Sequence, residues 1–328
     1  MCTALSFKHD GSVLFGRNMD LAWNFKQSPI FIPRNAAWLN RADGIRRPFS
    51  RAIIGMGTLI DSHPSMAEAM NESGLACAGL NFPGYAHWES KCREGKFNLA
   101  PYDFILWVLS CHDSVAEVKK SIEGIELVDI PINAQTPCPT LHWMISDKNG
   151  DCIVVEKTAD ALRVYDNPVS VMTNNPRFDW HLTNLSEYMN VRIEHPENIC
   201  WGAAELSPLG VGAGTRGLPG DFASVSRFVR TAFANSHLPE MKSREEAVSQ
   251  CFHILYYAAM VKGCVKTAEG MDDLTLYSVC MDLGEGIYYY KNCHNSRISA
   301  IDMKKENPDG SEIKRFPYPE TQDIKFIN

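Results

Sequence analysis

The second residue of the chain is a cysteine, in the opening segment MCTAL. Removal of Met1 would leave Cys2 with both a thiol and a free α-amine. Free α-amines have a pKa of roughly 7.7 to 8.0 and cysteine thiols one of about 8.5, so one terminal residue would hold a nucleophile and a matched base. A thiolate attacks an amide carbonyl, and the base returns the proton to the leaving amine. Taken alone, Cys2 is more often a frayed or buried thiol at the chain terminus.

Four further polar residues could complete such a site. Arg17 and Asp20, in FGRNMD, lie on a segment that a hairpin would bring back beside residue 2. A cation beside a thiol favours the thiolate, and a carboxylate can orient an amine. Asn81 in AGLNFPG and Asn174 in VMTNNP follow apolar runs and could donate hydrogen bonds to an oxyanion. Each asparagine is also an ordinary turn residue near a proline.

The elements that must position these residues follow from turn signals and periodicity. Hairpins are predicted around Asp10-Gly11, around Asn149-Gly150 and around Gly284. Helices are predicted in PYDFILWVLSC, SVAEVKKSIEGI, SVSRFVRTAFANSH and SREEAVSQCFHILYYAAMV, the last with Ser243 and Glu246 in capping-box positions. Because hairpins dominate, we expect largely antiparallel sheets layered with helices, an α+β sandwich.

Composition limits the functional classes. With 45% hydrophobic residues in 328, the chain can build a sizeable core, and no linker or repeat divides it, so we expect one domain over residues 1–328. The net charge of −7 without a basic block argues against nucleic acid and anionic membrane partners. No long apolar stretch or signal-peptide core occurs, so we expect a cytoplasmic protein.

Cysteines and glycines do not indicate a cofactor. Eleven cysteines occur without a CxxC spacing, so neither a disulfide framework nor a zinc site is supported, and we expect no metal and no organic cofactor. Gly212, Gly214 and Gly217 have GxGxxG spacing, but no strand precedes them and Pro219-Gly220 follows. We interpret the segment as a mobile or tightly turned loop.

Taken together, these segments resemble the choloylglycine hydrolase family of bile salt hydrolases and penicillin V acylases, which are N-terminal nucleophile hydrolases. Eight segments carry the resemblance along essentially the whole chain: MCTAL, FGRNMD, FIPRN, MNESGLACAGLNFPGY, LHWMISD, TNNPRFDWHLTNL, GLPGDFASVSRF and GIYYY. The resemblance implies a four-layer αββα fold with two stacked antiparallel sheets, removal of Met1, and a homotetramer.

Carried over position by position, the resemblance assigns catalysis to six polar residues: Cys2, Arg17, Asp20, Asn81, Asn174 and Arg227. The cysteine would be the nucleophile and its α-amine the base, with the first arginine beside the thiol and the aspartate holding the amine. The two asparagines would form the oxyanion hole. The arginine of ASVSRF would complete the polar shell, although without the resemblance it is simply a helix arginine with an apolar stem.

Within the family, penicillin V acylases typically carry tyrosine where this chain has Asn81, so the chain resembles the bile salt hydrolases. The resemblance places the steroid pocket at five positions: Met19, Ile60, Ala67, Ile132 and Thr136. A short loop, here Gly210-Val211-Gly212, is associated in some members with preference for taurine conjugates, and glycine lets a backbone approach a bulky sulfonate.

The resulting expectation is hydrolysis of the amide bond in glycine- or taurine-conjugated bile acids through a thioester on Cys2. Two alternatives stay open. The preferred substrate could be penicillin V or another N-acyl amide, with amines in place of water as acyl acceptors. The chain could also be an inactive member of the family that only binds bile acids.

Overall fold

Two antiparallel sheets organise the chain. The computed structural model describes all 328 residues. Its twenty strands are, in order, β1 (Cys2–His9), β2 (Ser12–Leu21), β3 (Ser28–Ile32), β4 (Ala37–Asn40), β5 (Ile45–Pro48), β6 (Ile53–Ile60), β7 (His63–Asn71), β8 (Leu75–Asn81), β9 (Phe97–Leu99), β10 (Ile125–Leu127), β11 (Leu141–Asp147), β12 (Cys152–Lys157), β13 (Leu162–Asp166), β14 (Val171–Met172), β15 (Ile199–Trp201), β16 (Ala204–Leu206), β17 (Leu274–Asp282), β18 (Ile287–Asn292), β19 (Asn295–Asp302) and β20 (Lys314–Arg315).

Helices cover the outer faces of these sheets. The five α-helices are α1 (Phe104–Cys111), α2 (Val115–Ser121), α3 (Phe178–Asn184), α4 (Ser224–Ser236) and α5 (Arg244–Ala258). Short 3-10 turns occur at Pro101–Asp103, Ile122–Gly124, Leu185–Tyr188, Ala213–Thr215 and Met303–Lys305. None of the helices combines the length and the apolar character needed to cross a bilayer.

The two large sheets draw strands from both ends of the chain. One sheet has six strands in the order β14-β1-β2-β17-β18-β19, so the first hairpin pairs with a strand some 250 residues later. The other has eight strands in the order β13-β12-β11-β8-β7-β6-β3-β20. Every pairing within the two sheets is antiparallel. The antiparallel prediction from hairpin signals is therefore confirmed.

Side-chain alternation in the eight-stranded sheet shows that both of its faces are buried. Along β8, Ala76 and Ala78 belong to the core shared with the six-stranded sheet, whereas Leu75 and Cys77 belong to the core beneath α1 and α2. The six-stranded sheet packs against α4 and α5 on its outer side. The layers are therefore helix, sheet, sheet, helix, which confirms the αββα expectation.

The three predicted hairpins form as expected. Asp10 and Gly11 join β1 to β2 with φ of +45° and +76°, the left-handed pair that a two-residue hairpin turn requires. Gly150, with φ of +89°, lies between β11 and β12. Residues 283–286 join β17 to β18. These turns fix the register that brings the first strand against the second.

The four predicted helices also form, with shorter bounds than their sequence segments. Ser243 caps α5 by accepting a hydrogen bond from the Glu246 N–H at 3.2 Å. The Glu246 carboxylate accepts from the Lys242 N–H at 2.7 Å, one residue before the position that the capping box predicts. The helix ends at Ala258, three residues earlier than the apolar pattern indicates.

Candidate active site

The candidate nucleophile lies at the first residue of β1, between the two sheets. Cys2 is only 3% exposed, and its ladder partner on β2 is Met19. The same pairing places Arg17 opposite Ala4 and leaves Asp20 beside the chain terminus. The hairpin register therefore brings both predicted charged residues of FGRNMD to the cysteine.

Arg17 directs its guanidinium at the thiol. Its Nη2 lies 3.3 Å from the Sγ of Cys2 and donates to the Gly79 carbonyl at 3.0 Å. Its Nη1 forms an ion pair with Glu68. Burial works to lower the pKa of Arg17, but Cys2, Tyr277 and Glu68 outweigh it, so that pKa lies well above its ordinary value. The thiol thus faces a permanent cation.

Asn174 and Arg227 hold the main chain of the cysteine. The Cys2 N–H donates to the Oδ1 of Asn174 at 2.8 Å, and the Nη1 of Arg227 donates to the Cys2 carbonyl at 2.6 Å. The Nη2 of Arg227 also donates to Asn174 Oδ1, at 2.8 Å, and its Nη1 to the Thr3 hydroxyl at 2.6 Å. These contacts fix the backbone from which the thiol projects.

Asn81 lies on the other side of Asn174. The Nδ2 of Asn174 donates to the main-chain oxygen of Asn81 at 2.7 Å. The side-chain oxygen of Asn81 accepts from the Thr140 hydroxyl at 2.7 Å, which sets the orientation of its amide. The structure therefore brings both predicted oxyanion donors to the same edge of the site.

The chain in this structure keeps Met1, which lies alongside Asp20 just before β1. The Met1 α-amine donates to the Asp20 carbonyl at 2.6 Å and lies 3.6 Å from the Oδ2 of Asp273. The Asp20 N–H donates to the Met1 carbonyl at 2.9 Å. In this form the nitrogen of Cys2 is an amide nitrogen, so it has no basic lone pair.

The Asp20 carboxylate is only half satisfied. Its Oδ1 accepts from the Thr275 hydroxyl at 2.6 Å, while its buried Oδ2 accepts no hydrogen bond and lies 3.9 Å from the Nη1 of Arg227. Burial raises the pKa of Asp20, opposed by the positive charges of Arg227 and the chain terminus. A buried carboxylate oxygen without a hydrogen bond is a position where an ammonium group would be stabilised.

A cavity of about 530 Å³ opens at Cys2 and is mainly apolar. It is lined by four of the five predicted pocket residues, namely Met19, Ile60, Ala67 and Thr136. Ile132 does not line it but packs behind it, in a small cluster with Tyr102 and Ile60. An apolar cavity of this size beside a polar end is typical of a site for a large rigid ligand.

The predicted glycine loop lies elsewhere in the chain. Gly210, Val211 and Gly212 line a separate surface depression with Pro196, Ile199 and Leu206, and none of them lines the cavity at Cys2. Gly212 and Gly217 have φ of +87° and +107°, and a single 3-10 turn lies between them. The segment is thus a tightly turned loop rather than a strand-to-helix nucleotide site.

Several buried polar residues around the site were not predicted from the sequence. Glu68 on β7 pairs with Arg17 across the two sheets. The Nδ1 of His142 lies 3.2 Å from the Oε1 of Glu156, and its Nε2 lies 2.9 Å from the Thr173 carbonyl. The Nε2 of His181 lies 3.0 Å from the Asn174 carbonyl. Burial lowers the pKa of His181 to about 4, so this ring stays neutral and donates to that carbonyl.

Metal-binding clusters are absent from the structure: no three His, Cys, Asp or Glu side chains lie close enough together to hold an ion. All eleven cysteines are free.

Two antiparallel sheets stacked between helices, with a thiol at the start of an inner strand, define the N-terminal nucleophile class of hydrolases.

The chain belongs to the choloylglycine hydrolase family of linear amide C–N hydrolases, whose family profile matches residues 2–316. A bile salt hydrolase/transferase of Clostridium perfringens is 46% identical, with all of both chains covered. One of Lactiplantibacillus plantarum is 38% identical, with 97% of both chains covered.

Solved structures agree with this assignment. A crystal structure of a conjugated bile acid hydrolase variant from Clostridium perfringens superposes with a TM-score of 0.95, at 46% identity and with all of both chains covered. The penicillin V acylase of Agrobacterium tumefaciens superposes with a TM-score of 0.75 at 21% identity, covering 96% of this chain and 90% of that one. The second likeness is one of fold alone.

Proposed function

We propose that this enzyme hydrolyses the amide bond of glycine- or taurine-conjugated bile acids through a thioester on Cys2. One observation carries the proposal: the Cys2 thiol, 3.3 Å from the Arg17 guanidinium, opens onto an apolar cavity of about 530 Å³. A steroid is a large rigid apolar body, and its amide would meet the polar end of that cavity. The full-length likeness to enzymes named as bile salt hydrolases supports the same substrate class.

Acylation proceeds through a tetrahedral oxyanion. The Cys2 sulfur forms a bond to the amide carbon, with Arg17 favouring the thiolate. The C–N bond then breaks, and the thiol proton, carried by the α-amine, goes to the departing glycine or taurine. The developing oxyanion is held by Asn81 and Asn174, two neighbouring residues joined by the hydrogen bond from the Asn174 Nδ2 to the Asn81 main-chain oxygen.

Deacylation uses the same base. Water attacks the thioester carbon, its proton passes to the α-amine, and the C–S bond breaks to release the free bile acid and the thiol. If an amine replaces water, the same intermediate gives acyl transfer, in keeping with the hydrolase/transferase names of the relatives.

This mechanism requires removal of Met1, because the nitrogen of Cys2 must become an amine. The main-chain ladder between Met1 and Asp20 would be lost, and the free α-ammonium of Cys2 would stand beside the unsatisfied Oδ2 of Asp20. We infer that Asp20 then orients this amine. Arg227 lies 3.9 Å from the same carboxylate and ties it to the Cys2 carbonyl.

Product release from matched substrates tests the proposal. The purified protein should release taurine from taurocholate and glycine from glycocholate, whereas Cys2→Ser should lower both rates by at least about 1,000-fold. Cys111→Ser, which changes an exposed thiol in the same way, should keep both rates. Equal rates for the Cys2→Ser and unaltered proteins would contradict the proposal.

Penicillin V hydrolysis is the alternative within the family. Asn81, where penicillin V acylases carry tyrosine, favours bile salts, and its amide lines the cavity. Release of phenoxyacetic acid from penicillin V should therefore be slower than release of taurine. The other alternative is a protein that binds bile acids without turnover, and it would be supported if Cys2→Ser bound taurocholate as the unaltered protein does and neither hydrolysed it.

We infer a homotetramer from the same family likeness. An arm formed by residues 189–216, which contains β15 and β16, exposes apolar side chains at Trp201 (74% exposed), Leu209 (98%) and Val211 (103%). Apolar surface of this kind is stabilised by contact with another copy of the chain. Light scattering should give four times the 36.8 kDa chain mass, and Trp201→Glu should lower it.

Three further points complete the proposal. Residues 1–328 form one domain, since β1 and β2 pair with β17 from the far end of the chain. The enzyme acts in the cytoplasm, where methionine removal also occurs.

Gly210-Val211-Gly212 influences preference for taurine over glycine conjugates, a role that a glycine-to-alanine series with both substrates would test.

A further inference from the structure

Glu68 is a buried carboxylate that the mechanism above does not use. It projects from the middle of β7 in the eight-stranded sheet and is 0% exposed. Its Oε2 forms an ion pair with the Nη1 of Arg17 and accepts from the Tyr277 hydroxyl at 3.0 Å, and its Oε1 accepts from the Tyr288 hydroxyl at 2.9 Å. Both of its oxygens are therefore occupied by donors from the opposite sheet.

The two terminal nitrogens of the Arg17 guanidinium contact different groups. Its Nη1 side is held by Glu68, and its Nη2 side lies 3.3 Å from the Cys2 sulfur. Because a guanidinium is planar and rigid, fixing one nitrogen fixes the direction of the other. Glu68 thus determines where the positive group meets the thiol.

The ion pair between Arg17 and Glu68 also neutralises charge in the buried interior. Arg17 is 1% exposed, so neither partner has solvent to compensate it. The carboxylate therefore offsets much of the positive potential that Arg17 would otherwise exert on the sulfur. Burial raises the pKa of Glu68 and Arg17 lowers it, so the ionised form depends on this contact.

We propose that Glu68 is a positioning residue that aims the Arg17 guanidinium at the Cys2 sulfur and limits how strongly that cation favours the thiolate. The inference rests on Cys2 being the nucleophile, as in the proposed function, but not on the identity of the substrate. A thiolate that is stabilised too strongly is a weaker nucleophile, so the carboxylate preserves reactivity as well as geometry.

The charged and titratable groups that face this pair are few. Cys2 faces it from β1, Tyr277 from β17 and Tyr288 from β18, and Tyr318 contributes from the C-terminal segment. Arg227 on α4 acts on the thiol from the other side. Among these groups Glu68 is the one acidic side chain bonded to Arg17. Its replacement therefore isolates the effect of this carboxylate on Arg17 and the Cys2 sulfur.

Alkylation of Cys2 by iodoacetamide, followed across pH by peptide mass, provides the test. In Glu68→Gln the amide keeps the shape but removes the charge, so the midpoint of the alkylation profile should move to lower pH by about one unit, and kcat should fall about tenfold. Glu72→Gln is the matched control, because Glu72 binds Arg34 through two hydrogen bonds in the loop after β7 and should leave the profile unchanged.

A second variant separates charge from position. Glu68→Asp keeps the negative charge but moves the carboxylate away from Arg17. The midpoint of the alkylation profile should therefore stay within about 0.3 pH units of that of the unaltered protein, while the plateau rate of alkylation falls several-fold. An unchanged midpoint in Glu68→Gln overturns the proposal. If that variant does not fold, an unchanged plateau rate in Glu68→Asp overturns it. Because alkylation needs no bile salt, failure here is distinct from failure of the proposed function.

Discussion

The Oδ2 of Asp20 lies 3.9 Å from the Nη1 of Arg227, in the interior of the protein, and accepts no hydrogen bond. Since a carboxylate oxygen without a hydrogen bond is costly to bury, we expect it to lower the stability of protein that retains Met1. The same oxygen is suited to receive the α-ammonium that removal of Met1 creates. In the proposed mechanism, one residue would thereby link maturation of the terminus to catalysis.

Asp20→Asn should therefore have opposite effects on stability and on activity. Burial raises the pKa of Asp20 in the folded state, so ionising it costs stability as pH rises through that pKa. In protein that retains Met1, Asp20→Asn should raise Tm by about 2–4 °C at pH 7, a gain that disappears in acid. In processed protein it should lower taurine release at least about 100-fold. Retained activity would show that the amine needs no carboxylate.

Arg227→Lys should impair the site even though the substitution keeps the positive charge. Lysine keeps the charge but cannot contact Asn174, Thr3 and the Cys2 carbonyl together. We expect kcat to fall about 100-fold and the free energy of unfolding to fall by about 1–3 kcal/mol.

The control for this variant lies on the same helix. Arg230 is also buried in α4, but it donates to the carbonyls of Pro219 and Asp221. Arg230→Lys should lower stability by a similar amount and leave kcat within about twofold. Equal losses of kcat in the two variants would mean that α4 acts only through its stability.

His181 should make the protein sensitive to acid. Its pKa is lowered by burial to about 4 in the folded state, whereas an unfolded histidine titrates near 6.5. The stability that it contributes is full above pH 6.5 and is lost as pH falls to 4, by about 3 kcal/mol. Melting curves of His181→Gln should show a smaller loss of Tm over that range. His253→Gln, at an exposed position of α5, should behave as the unaltered protein does.

The apolar cavity proposed to bind the steroid can be narrowed without changing the thiol. Ala67 is half-buried in its wall, so Ala67→Phe should raise KM for taurocholate about tenfold. Alkylation of Cys2 by the small reagent iodoacetamide should change less than about twofold. Ala159→Phe, an exposed change outside this cavity, should leave KM unaltered. A KM unaffected by Ala67→Phe would place the steroid elsewhere.

Local chemistry in the sequence predicted the hairpins and most helices. The Asp10-Gly11 turn fixes which residues oppose Cys2, so the sequence alone indicates that Arg17 lies near it. Helix α3 was missed because its seven residues carry little apolar periodicity. Short elements of this kind are determined by tertiary contacts.

Contacts between the two sheets could not be predicted from the residues. Glu68 and Arg17 are 51 residues apart, and each has the pattern of an ordinary strand residue. The same holds for His142 and His181, which meet the carbonyls of Thr173 and Asn174 only after the layers stack. The six proposed catalytic positions could be named because family resemblance supplied them, whereas the buried residues that contact them became evident only from the folded structure.

In the proposed mechanism, one terminal residue supplies both the nucleophile and the base. Intact-protein mass spectrometry before and after brief exposure to taurocholate, with an acid quench, tests it most directly. We expect a starting mass without Met1 and a transient cholyl adduct that peptide mapping places on Cys2. Full turnover by protein whose mass still includes Met1 would contradict the claim.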